Sequence, residues 1–194
     1  MRRISIADLA AIVLNLHELV EQELQLVLVG GTGVMALTPT VHPTQDIDVL
    51  WSDSLLAART ALGEKRWNQF CKEAQLSTRS DPFEVLLPSD WRKRKVQSPL
   101  STTRVRVVTP CPEDLASMKV FRLLARDADD IQALAALPDF APKLFKRSFC
   151  ATLPFAIGRS RWHVQSFCMV WNGLYPDTPL ESSDIFALAG LAPS

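Results

Sequence analysis

Thr44-Gln45-Asp46-Ile47-Asp48-Val49-Leu50-Trp51 decides the fold, because two acids alternate with apolar residues at the period of a half-buried strand. Ile47 and Val49 turn toward a core, and Asp46 and Asp48 project together from the opposite face. Upstream, Leu24-Gln25-Leu26-Val27-Leu28-Val29 is an almost unbroken apolar run that stops at Gly30-Gly31-Thr32-Gly33. That predicts a buried strand delivering a glycine turn. Val34-Met35-Ala36-Leu37 leaves room for one or two helical turns before Pro39 and Pro43 interrupt the chain.

Outward from this pair of strands, Ser5 with Asp8 predicts a capped helix whose apolar stripe is Leu9, Ile12, Val13, Leu16, Leu19 and Val20. Ser52 or Ser54 opens a long helix to about Ala74. Phe83-Glu84-Val85-Leu86-Leu87 reads as a third strand stopped by Pro88, and Thr103–Val108 as a fourth with Arg104 and Arg106 on one face. Pro112-Glu113-Asp114 starts a helix continued by Leu115, Met118 and Phe121. The fold class is therefore α/β (α+β), a small mixed sheet flanked by helices over residues 1–137, with a mainly helical C-terminal region over 138–194. Between residues 140 and 176 there is no acid, and Lys143, Lys146, Arg147, Arg159 and Arg161 are interleaved with Phe145, Phe149, Phe155, Trp162, Phe167 and Trp171.

Composition narrows the function. The 194 residues are 47% hydrophobic and 22% charged, which excludes a disordered chain or a coiled coil. With 21 Lys+Arg against 21 Asp+Glu the net charge is zero, so any nucleic acid is held by a local patch and not by the field of the whole molecule. Glu18, Glu21 and Glu23 interrupt the N-terminal apolar stretch well short of the about 20 residues that span a bilayer. The basic start Met1-Arg2-Arg3 is followed by Asp8 and by no small-residue cleavage site, which points to a cytoplasmic protein. Cys71, Cys111, Cys150 and Cys168 are far apart and read as free thiols.

Asp46 and Asp48 on one strand face can hold divalent cations between them. Nucleotidyl transfer needs such a cluster, since one magnesium ion activates the attacking hydroxyl and another holds the triphosphate. Glu84, an acid inside an apolar run, is costly unless it is paired or bound to metal, so it is the candidate third carboxylate. Gly30 and Gly31 let the backbone approach phosphates, with Thr32 adding a hydroxyl and the following helix its free N–H groups. The plainer reading of each is a solvated strand end, an exposed edge-strand acid and a tight turn. Asp127, Asp129 and Asp130 read as a helix N-terminus. Arg92-Lys93-Arg94-Lys95 reads as a solvated loop, with RNA binding as the rival, and His17 and His163 as incidental.

With Leu28-Val29-Gly30-Gly31-Thr32, Thr44-Gln45-Asp46-Ile47-Asp48-Val49 and Pro112-Glu113-Asp114-Leu115-Ala116-Ser117-Met118-Lys119, then Arg126-Asp127 and Asp130, the sequence resembles the nucleotidyltransferase-fold superfamily that includes DNA polymerase beta. Within it the likeness is to the minimal bacterial group akin to AbiEii toxins, and it runs from about Leu24 to Leu134. The resemblance implies a nucleoside triphosphate substrate, two Mg2+ ions on Asp46, Asp48 and Glu84, and nucleotide contacts from Gly30, Gly31, Thr32, Lys119 and Arg126. Asp130 would orient Lys119 or its helix. It also implies an acceptor hydroxyl on RNA, such as tRNA, or on protein, and a toxin-antitoxin or phage-defence setting with a cognate antitoxin or toxin partner. The alternatives are a catalytically silent nucleotide- or partner-binding protein of the same fold, and an RNA-binding module built on the basic, aromatic C-terminal region.

Overall fold

A computed structural model describes residues 3–38, 42–77, 84–156 and 160–191. Nine α-helices and a five-stranded mixed sheet are formed among them, the expected fold class. The chain divides into two compact units, residues 1–82 with 92–111 and residues 83–91 with 112–194. The division falls at Cys111–Pro112, so two helices that a boundary at residue 137 would leave with the sheet pack in the second unit.

The first unit opens with α1 (Ile6–Leu19), closed at its start by a reciprocal capping box. The Asp8 N–H donates to Ser5 Oγ at 3.2 Å, and the Ser5 N–H donates to Asp8 Oδ2 at 2.9 Å. Strand β1 (Leu24–Leu28) is central, antiparallel to β2 (Ile47–Leu50) and parallel to β5 (Val105–Thr109). Two-residue strands, β3 (Leu76–Ser77) and β4 (Val96–Gln97), complete the order β3-β2-β1-β5-β4. Leu9, Val13 and Leu16 of α1 join Leu24, Leu26, Leu28, Val105 and Val107 in one core. All eight are fully buried, which is why the strand run is apolar on nearly every residue.

Helix α2 (Gly30–Leu37) starts at the first glycine, so the glycines form its first turn and not a loop before it. The single helix expected over 52–74 is two, α3 (Asp53–Leu62) and α4 (Glu64–Glu73). Gly63 stands between them at φ +77°, a conformation that ends one helix and admits the next at a sharp angle. The strand expected over Phe83–Leu87 is not formed. Phe83 lies outside the described residues, and Glu84–Leu87 make a turn in which the Leu87 N–H donates to the Glu84 carbonyl at 3.1 Å. An apolar run this short carries no periodicity that separates a strand from a turn, and Pro88 ends either.

The second unit is built on α5 (Pro112–Arg122), in which every residue from Glu113 to Phe121 is buried. Helices α6 (Ala125–Ala135), α7 (Pro142–Thr152), α8 (Ser160–Leu174) and α9 (Ser182–Ala189) complete it. Phe149 stacks on Phe121 at 4.9 Å and on Phe167 at 4.3 Å, and Phe145 meets Phe167 at 5.0 Å. These aromatics of the C-terminal region are core, whereas Phe155 and Trp162 stay exposed. Two buried acids on α5 are matched: Glu113 accepts from the Ala141 N–H and Asp114 from the Ser148 hydroxyl, each at 2.6 Å. None of the four cysteines is in a disulfide, and burial pushes the Cys71 and Cys150 thiols up to about 11. No helix among the described residues is long and apolar enough to cross a membrane.

Candidate nucleotide-binding site

At the end of β1, Val29 is extended and Gly30 turns to φ +59°, which bends the chain directly into α2. The first intrahelical bond runs from the Gly33 N–H to the Val29 carbonyl at 2.9 Å, and no side chain caps this N-terminus. The N–H groups of Gly30, Gly31 and Thr32 thus precede the helical ladder, at the end that carries about half a positive charge. A Cβ on Gly30 would sit 2.5 Å from Oδ2 of Asp48, closer than two such atoms approach. Only glycine lets the Asp48 carboxylate lie against this helix start. A Cβ on Gly31 would meet Thr44 Oγ1 at the milder distance of 3.2 Å.

The backbone of the acidic strand is pinned at three successive residues. The buried Thr32 hydroxyl donates to the Asp46 carbonyl at 2.9 Å, the Ile47 N–H to the Gln75 carbonyl at 2.9 Å, and the Val29 N–H to the Asp48 carbonyl at 3.0 Å. Thr44, just upstream, is held by paired backbone bonds with Ile4. Ile47 and Val49 lie in the core, while Asp46 and Asp48 between them are half-buried, the alternation read from the sequence. Thr32 serves this arrangement through its bond to Asp46. The roles of Thr32, Thr44 and Gln75 in fixing the strand leave no mark in sequence spacing, since each partner is 14 or more residues away.

Magnesium is commonly held by one or two carboxylates with the remaining positions filled by water and substrate phosphates. The half-buried Asp48 carboxylate against a glycine helix start, with half-buried Asp46 two residues before it, fits that requirement. Among the described residues no group of three or more His, Cys, Asp and Glu side chains is placed to hold a metal ion, and Asp48 is the one acid in the described strands. Glu84, half-buried on its turn, belongs to the second unit.

Lys119 and Arg126 also lie in the second unit. Arg126 is exposed on the first turn of α6. Lys119 is only 4% exposed, its ammonium 3.2 Å from Asp127 Oδ1 and 2.5 Å from Asp130 Oδ2. Arg122 makes a two-pronged bond to Asp127 at 2.8 and 2.6 Å, and the Leu124 N–H adds a third at 2.9 Å. Burial disfavours the Asp127 charge, but the Arg122 and Leu124 hydrogen bonds with the Lys119 and Arg122 charges outweigh it and bring its pKa down to about 2. Asp127 is also the capping acid of α6. The sequence did contain a signal for this cluster: Lys119/Arg122 and Asp127/Asp130 are both spaced by three, so each pair shares a helix face. His17 bonds to Thr102 Oγ1 at 2.9 Å, and His163 is buried between Phe121 and Trp162.

No curated protein and no solved structure is significantly similar to the chain. A family model, described as a nucleotidyltransferase of unknown function (DUF6036), matches residues 7–174 and so covers most of both units. With a glycine helix start set against an Asp-x-Asp strand and a family match over most of its length, the chain belongs to this nucleotidyltransferase family.

Proposed function

We propose that the protein is a magnesium-dependent nucleotidyltransferase that moves a nucleoside monophosphate from a triphosphate to an acceptor hydroxyl. The observation that carries this reading is the close approach of Asp48 to Gly30, which brings a metal-binding carboxylate to a helix N-terminus suited to phosphate. Gly30 and Gly31 would bind the triphosphate through backbone N–H groups, and Asp46 and Asp48 would hold the metal. Magnesium bound there supplies neutralisation of the triphosphate and polarises the α-phosphate. The acceptor oxygen bonds to the α-phosphorus, the bond from that phosphorus to the bridging oxygen breaks, pyrophosphate leaves, and the hydroxyl proton passes to solvent. The protein's part is positioning and electrostatics, for which the three backbone bonds that pin Asp46–Asp48 are suited.

The acceptor is a hydroxyl of RNA or protein, and the likeness to AbiEii-type toxins supports a toxin-antitoxin or phage-defence setting. The place of Glu84 on a turn favours a second reading, nucleotide binding without transfer. One experiment separates the two: α-labelled triphosphates are incubated with magnesium and total bacterial RNA or protein, using wild type and Asp46→Asn/Asp48→Asn. Label acquired only with wild type supports transfer. Triphosphate retained by wild type with no label moved supports binding alone.

A further inference from the structure

The second unit carries a cleft of about 530 Å3 in which three cations face an apolar floor. Lys143, Lys146 and Arg147 lie at positions i, i+3 and i+4 of α7 and so share one face, with Pro154 and Leu188 among the apolar lining. Lys143 and Arg147 are exposed, while Lys146 is steadied over the Trp171 ring at 5.2 Å. Phe155, next to Pro154 in the short turn Leu153–Phe155, exposes 68% of its surface. Cys150 at the floor keeps its proton at neutral pH, because burial raises it to about 11, so the cleft offers no thiolate.

Charge settles what fits. The carbonyl end of α9, at Leu188 and Ala189, contributes about half a negative charge against three formal positive ones. Asp90 stands 3.8 Å from Arg147, both side chains well exposed, a long pair that an entering phosphate displaces readily. The segment 140–176, which supplies the three cations, contains no acid, and on the other wall the acids Glu181 and Asp184 stand at the opposite end of α9 from Leu188 and Ala189. A row of cations tracking a backbone, beside an exposed aromatic face, is the combination that single strands use. We infer that this cleft binds single-stranded nucleic acid, with phosphates on Lys143, Lys146 and Arg147 and a base stacked on Phe155. The inference is independent of the transfer chemistry, because this binding requires neither Asp46 nor Asp48.

Fluorescence anisotropy of labelled oligo(U) and oligo(dT) with the full chain, in EDTA and without magnesium, tests it. Three phosphate contacts give a slope of log affinity on log salt of about −2, and about a 20-fold loss between 50 and 200 mM salt. Lys143→Gln/Lys146→Gln/Arg147→Gln abolishes that slope, and Lys143→Gln alone, at an exposed position, removes about a third of it. Phe155→Ala weakens binding by about tenfold at every salt concentration. Arg92→Gln/Lys93→Gln and Asp46→Asn/Asp48→Asn bind as wild type. Preference for oligo(U) or oligo(dT) identifies RNA or DNA as the source of the strand. Wild-type affinity in the triple variant, binding lost instead with Arg92 and Lys93, or displacement by polyglutamate as effective as by unlabelled oligonucleotide would overturn the inference.

Discussion

Replacing Lys119 with methionine tests how the second unit is held together. The ammonium sits between Asp127 and Asp130, all three side chains at most 5% exposed. Asp127 would keep Arg122 and the Leu124 N–H, but Asp130 would lose its ammonium partner while still buried. Removing one member of a buried pair in this way costs about 3 to 5 kcal/mol. With a urea dependence of about 2 kcal/mol per molar, the unfolding midpoint falls by about 2 M. The penalty belongs to the stranded carboxylate, so Lys119→Met/Asp130→Leu recovers most of it and leaves a deficit below about 2 kcal/mol. Urea unfolding followed by far-ultraviolet circular dichroism measures all three proteins. A Lys119→Met variant within about 1 kcal/mol of wild type, or a double variant no more stable than the single, would refute the reasoning.

Asp127 gives a pH prediction: its pKa is about 2 in the fold against an ordinary 3.8, so its ionised form is favoured in the native state. That contribution, roughly 2 kcal/mol, is complete above about pH 4 to 5 and is lost as pH falls toward 2; Asp127→Asn flattens acid unfolding over that interval. Gly30→Ala forces a left-handed conformation at about 1 to 2 kcal/mol and drives a methyl onto Asp48, so calorimetry finds magnesium-dependent triphosphate binding lost. Gly31→Ala, with its nearest neighbour at 3.2 Å, is milder in the same assay. Thr32→Val removes the bond to the Asp46 carbonyl and lowers stability by about 1 to 3 kcal/mol, whereas Thr32→Ser retains most of it in thermal melts.

Strong, long-wavelength patterns were legible in the sequence. The capped first helix, the run Leu24–Val29 and the alternation Asp46–Leu50 each satisfy propensity, burial and hydrogen bonding together, so local chemistry and tertiary packing agree. The two-residue strands β3 and β4 were not, because such a strand owes its existence to the neighbour it pairs with. Glu84 misled for a related reason: its apolar surroundings in sequence suggested a strand interior, but five residues do not fix a period. Lys119 was expected at the nucleotide, and its burial between two carboxylates depends on how α5 and α6 pack, which spacing hints at and does not dictate. At the candidate site the alternation that buries Ile47 and Val49 and leaves Asp46 and Asp48 half-buried was readable. The contact between Gly30 and Asp48 was not, since it joins residues through the meeting of β1, α2 and β2.

Pyrophosphate release measured beside label transfer tests the central claim most directly. With magnesium, an acceptor extract and triphosphate labelled at the α- or the γ-phosphate, the account predicts that only α-label moves to the acceptor. One pyrophosphate is released per label moved, and both signals vanish in Asp46→Asn/Asp48→Asn. Transfer of γ-label, or α-label transfer that survives in that variant, would contradict it.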